Sequence, residues 1–128
     1  MSWLADVKDR FRDRTELSST ELYDQFALAG QVHQDELACA FTVFRVEFGI
    51  SPGLLRGDDS LELFTQPPHT RNPLVWPFIR MEFEDRMSEL NYHLKRGRKL
   101  CGASELSRPP KTVREYVLAW AGRDLLAT

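Results

Sequence analysis

The feature that most constrains this chain is a run of large apolar side chains at helical spacing, Leu37, Phe41, Phe44 and Phe48, followed at once by Gly49. Steps of four, three and four align these residues in one stripe, which a helix has to bury against other elements. Ala38 and Ala40 lie alongside. Gly49 can take the left-handed backbone geometry that closes a helix, and Pro52 blocks its continuation. The spacing predicts a core helix from about Gln34-Asp35 to Phe48-Gly49. Cys39 falls inside this pattern and is read as a small buried residue.

Three further stretches have helical patterning. Trp3, Leu4, Val7 and Phe11 form the apolar side of an N-terminal amphipathic helix, either packed on the domain or frayed from it. Ser18-Ser19-Thr20-Glu21 is a capping box: a serine hydroxyl accepts from a free backbone N–H while Glu21 reaches back. It opens a short helix through Leu22, Tyr23 and Phe26 that Gly30 should stop. Trp76, Ile79, Phe83, Met87 and Leu90 trace another stripe, with Pro77 tolerated in the first turn. Ile79 to Glu84 also alternates as an exposed strand would; the stripe as far as Leu90 favours helix. After Pro109-Pro110, a second capping box, Thr112-Val113-Arg114-Glu115, introduces a last helix with Val113, Tyr116, Val117 and Trp120 on its apolar face.

Between these elements, residues 50–73 read as a long connection containing Pro52-Gly53, Gly57-Asp58-Asp59 and Pro67-Pro68. Its brief apolar run, Leu61 to Phe64, fits one helical turn covering the core. His93 to Lys99 is a local basic cluster. The expected architecture is all-α: a single helical domain over 1–128, with an N-terminal helix in 1–17, a bundle in 18–122 and a tail in 123–128.

Composition narrows the function classes. With 128 residues, a net charge of −2 and a pI near 5.9, the chain has no global pull towards nucleic acid or anionic lipid. The basic run Lys95 to Lys99 offers a local alternative, but no aromatic platform is interleaved with it, and it reads as a solvated loop. No window approaches the roughly 18 apolar residues of a membrane span. The N-terminus lacks a signal-peptide core, and two distant cysteines, Cys39 and Cys101, make no disulfide framework. A cytoplasmic home is expected. His33, His69 and His93 lack metal-ligand spacing, no phosphate loop is present, and Glu82, Glu84 and Asp85 fit a solvated helix face. No enzymatic activity is expected.

The order of motifs resembles a family. A long helix ends in Glu47-Phe48-Gly49-Ile50; a long loop carries Leu54-Leu55-Arg56-Gly57-Asp58-Asp59. A second helix contains Phe83-Glu84-Asp85-Arg86-Met87, and the last begins Lys111-Thr112-Val113-Arg114-Glu115-Tyr116-Val117. Over residues 20–122 this resembles acyl carrier proteins and their divergent relatives. The resemblance implies a serine in an Asp-Ser-Leu motif at the start of helix II, esterified by 4′-phosphopantetheine. Those letters stand at Asp59-Ser60-Leu61, but Pro67 and Pro68 end any helix there after about one turn. If the helix with Phe83 to Met87 is helix II, the motif's place falls at Asn72-Pro73-Leu74, where proline has no hydroxyl. The expectation is a carrier-like fold without the arm, working by protein contact through Glu82, Glu84, Asp85 and Glu89. The alternatives are a carrier modified on Ser60, and an unrelated adaptor or nucleic-acid binder using Trp3 and Phe11 or the Lys95 to Lys99 run. Arg80 and Arg86 interrupt the acidic face that carrier partners read.

Overall fold

In the computed structural model, the described residues are 3–26, 31–66, 73–74 and 76–125. Among them the regular elements are all helices, in the order α1 Trp3–Asp9, α2 Ser19–Phe26, α3 Gln34–Ala40, α4 Thr42–Phe48, α5 Glu62–Thr65, α6 Trp76–Leu100 and α7 Val113–Trp120. A single 3₁₀ turn at Pro52–Leu54 lies between α4 and α5. The expected stop at Gly30 and the residues Pro67, Pro68, His69 and Asn72 lie outside the described residues.

The anticipated core helix forms in two pieces. Phe41 separates α3 from α4, yet its N–H donates to Leu37 O (3.0 Å) and its carbonyl accepts from Arg45 N (3.1 Å), so helical bonding runs through it. Thr42 Oγ1 also bonds Ala38 O at 3.3 Å, a back-bond that bends helices. Gly49 closes α4 as its sequence position required, at φ 65°, with Ile50 N bonded to Phe44 O at 3.1 Å. Leu37, Phe41, Phe44 and Phe48 are all buried.

Cys39 is exposed, contrary to the sequence reading. Two residues beyond Leu37 is about 200° around a helix, which points its thiol away from the stripe. Ala38, about 100° from Leu37, is exposed too, while Ala40 is buried.

The core is aromatic and draws on both ends of the chain. Phe44 touches Phe48, Phe64 and Tyr116, at centroid distances of 6.2, 4.9 and 5.3 Å. Phe64 comes from α5, so the one-turn helix does cover the core. Trp3, Val7 and Phe11 are also buried there, with Trp3 edge-on to Phe48 and Phe83 and its Nε1 donating to Gln66 O at 2.8 Å. The α1 face is therefore packed, and Trp3 and Phe11 present no surface for an adaptor partner. At the other end, Leu125 is buried as well.

The first capping box forms in full, and the second only on the threonine side. Ser18 Oγ accepts from Glu21 N while Ser18 N donates to Glu21 Oε1, each at 3.2 Å. Thr112 Oγ1 accepts from Glu115 N at 3.2 Å, and Glu115 Oε1 accepts from Lys111 N, one residue before the cap.

Residues 79–84 are helical, in the first half of the 25-residue α6. The helix also takes in the whole basic run, so Lys95 to Lys99 is not a loop. Gly97 lets the helix continue beneath Trp120, and Arg98 points inward, donating to Ala119 O (2.9 Å), Arg123 O (2.8 Å) and Ser104 O (3.0 Å). The helix ends at Leu100, and Gly102 in the turn that follows has φ 67°.

Candidate functional site

Asp59, Ser60 and Leu61 form a structural joint. Ser60 makes an isolated antiparallel bridge with Thr112, flanked by Leu61 N to Lys111 O and Val113 N to Asp59 O, both 2.9 Å. Asp59 is buried and holds the Arg14 guanidinium by two bonds of 2.7 Å; it also accepts from Arg56 N at 2.7 Å. Leu61 is in the core, 7% exposed. Ser60 Oγ accepts from Glu62 N, the first N–H of α5, at 3.2 Å. That helix has four residues, and Gln66 leaves it with extended geometry, φ −68° and ψ 130°, as the residue before a proline prefers. Ser60 thus precedes a helix of one turn, and the acidic residues lie on the separate α6.

Beside the joint lies a cleft of about 580 Å³ lined by Ser60, Leu61, Thr65, Leu90, Leu94 and Tyr116, among others. Tyr116, one of the lining residues, is buried, and its hydroxyl donates to Leu90 O at 2.7 Å. Burial raises the Tyr116 pKa, so the phenol stays neutral.

The acidic residues singled out in the sequence all sit on α6, but not in one role. Glu82 is half-buried and accepts from Leu4 N at 3.1 Å, fastening the start of α1 to α6. Glu84, Asp85 and Glu89 are exposed. Glu84 pairs with Arg80 one turn earlier, at 2.9 Å with both side chains well solvated. Arg86 turns towards α4 and bonds Glu47 at 3.3 Å. Next to these acids, Leu74, Phe78 and Met81 are 81%, 73% and 55% exposed, in steps of four and three. Sequence reasoning missed this outward apolar stripe because the inward one, Ile79, Phe83, Met87 and Leu90, accounted for the same helix. The 78–81–85 spacing was its signal.

His93 lies between α3 and α7. Its ring stacks on Trp120 and Tyr116, at 5.6 and 6.5 Å. Desolvation lowers its pKa, and Arg96 lowers it further; the carbonyls of Ala40 and Cys39 oppose this in part. These surroundings are those of a neutral packed ring. Among the described residues no group of three or more His, Cys, Asp or Glu side chains can hold a metal ion, and no helix is long and apolar enough to cross a membrane.

No family model matches the chain, and no curated protein or solved structure matches it.

Proposed function

We propose that this protein is a non-catalytic, carrier-like helical module that acts through protein contacts on the outward face of α6, without a phosphopantetheine arm. The observation that carries this reading is the exposed stripe of Phe78 and Met81 running into Glu84, Asp85 and Glu89. Large apolar side chains aligned in water on a well-formed helix mark a docking surface. Acid around them supplies orientation and partner choice. The joint at Ser60 supports the absence of the arm: a modifying enzyme needs a reachable serine at the head of an ordered helix. Here the hydroxyl accepts from the first N–H of a single turn, and its neighbours are tied to Lys111, Val113 and Arg14.

The test is co-expression with a broad-specificity phosphopantetheinyl transferase and intact-mass measurement, beside a carrier protein that the same transferase modifies. The expected result is full modification of that protein and an unmodified mass here. An adduct on this chain that disappears in Ser60→Ala overturns the reading in favour of an acyl carrier.

A further inference from the structure

The whole outward face of α6 is exposed, and its character changes along the helix: apolar at Phe78 and Met81, acidic at Glu84 and Asp85, basic at Lys95, Arg96 and Lys99. Ser88 and Tyr92, between the charged halves, are exposed too. Asp85, Lys95, Arg96 and Lys99 have no ion-pair partner among the described residues, and the one pair at Glu84 is the solvated contact with Arg80. Asp85 and Arg96 stand on the same side of the helix but about 16 Å apart along its axis, so they do not meet within one chain.

We propose that this face binds a second copy of the chain, with the two α6 helices antiparallel about a two-fold axis level with Leu90. A two-fold contact needs a surface that complements itself when reversed, and a helix with acid in one half and base in the other does so only antiparallel. At 3.6 residues per turn, the register that superposes the faces brings Asp85 opposite Arg96 of the second copy and Glu84 opposite its Lys95. The symmetry repeats both pairs. Ser88 then faces Tyr92 at the centre, and Met81 lies along the stem of Lys99. Phe78 reaches the far end of the helix beside Leu100, which is itself 74% exposed. The apolar stripe and the free charges thus find partners in one arrangement. One helix face is a small interface, suited to a reversible dimer with a dissociation constant on the order of 10–100 µM.

The inference rests on the reading of α6 as the contact face and names the occupant of that face. Its test is sedimentation equilibrium of the full chain across this concentration range, in low and high salt. We expect a monomer–dimer equilibrium that weakens with salt. Asp85→Arg and Arg96→Asp should each weaken it about tenfold, and the double exchange should restore it to near the starting affinity. Circular dichroism melts of each variant confirm that the fold is kept. A monomer throughout, or a double exchange no better than the single variants, overturns the self-association. Sedimentation does not depend on an arm, and the mass measurement does not depend on oligomeric state, so failure of one reading is distinguishable from failure of the other.

Discussion

The Trp120 indole occupies the space that a side chain at position 97 would need: a Cβ added to Gly97 would stand 2.4 Å from Nε1 and 2.5 Å from Cδ1. This contact holds α7 against the C-terminal turns of α6, and it explains a glycine in the interior of a long helix. Alanine at position 97 would gain about 1 kcal/mol in helix propensity. It would also push Trp120 off its seat, an overpacking penalty of about 1–3 kcal/mol. Gly97→Ala is expected to be net destabilising, with a lower chemical-denaturation midpoint. An unchanged or raised midpoint would show that Trp120 repacks freely.

Asp59 and Ser60 should differ sharply in their mutational effects, in the opposite sense to a carrier motif. Asp59→Ala leaves Arg14 without its two carboxylate bonds and Arg56 N without an acceptor. A loss of roughly 2–3 kcal/mol is expected, less than for a fully buried pair because the Arg14 side chain is 29% exposed. Ser60→Ala removes only the local bond from Glu62 N and should cost about 0.5–1 kcal/mol. Equilibrium urea unfolding of the two variants decides the order.

His93 should make stability depend on pH below neutrality. Its pKa is lowered on folding, first by desolvation between Tyr116 and Trp120, so the unfolded chain takes up the proton more readily. The stability it confers is present above the unfolded value of about 6.5 and is lost as pH falls through and below it. His93→Phe is expected to flatten the fall in the urea midpoint between about pH 7 and 5. An equally steep fall in the variant would place the titration elsewhere.

Glu115 governs a separate acid range. The Arg108 guanidinium, with help from Lys111 N, pulls its carboxyl down to about 2. Its contribution is present above the unfolded value of about 4.3 and is lost as pH falls towards 2. Glu115→Gln should lower the melting temperature at pH 6 and narrow the gap to the wild type as pH approaches 2. A constant gap would mean that the carboxylate charge does not matter there.

Elements with a local cause were legible in the sequence. The Phe41–Phe44–Phe48 stripe, the Gly49 stop, the capping box at Ser18 and the Thr112 side-chain cap follow from short-range periodicity and hydrogen bonding, and each forms. What escaped depends on contacts between distant residues. The basic run remains helical because Trp120 packs on Gly97 and Arg98 turns inward to carbonyls of the α7 end and of Ser104. Trp3 is buried because Phe48 and Phe83 converge on it. The triplet Asp59-Ser60-Leu61 looks the same as letters whether it presents a hydroxyl or ties a loop to α7. Only the bonds to Arg14, Lys111 and Val113 separate the two roles.

The joint at Ser60 is the centre of this account, and amide hydrogen exchange measured by NMR tests it most directly. The N–H groups of Leu61 and Val113, bonded to Lys111 O and Asp59 O, should exchange as slowly as core amides such as those of Phe44 and Tyr116. Exchange at the rate of open loop amides would show that the joint is not held. Ser60 would then be free in the way a carrier serine must be, contradicting the account.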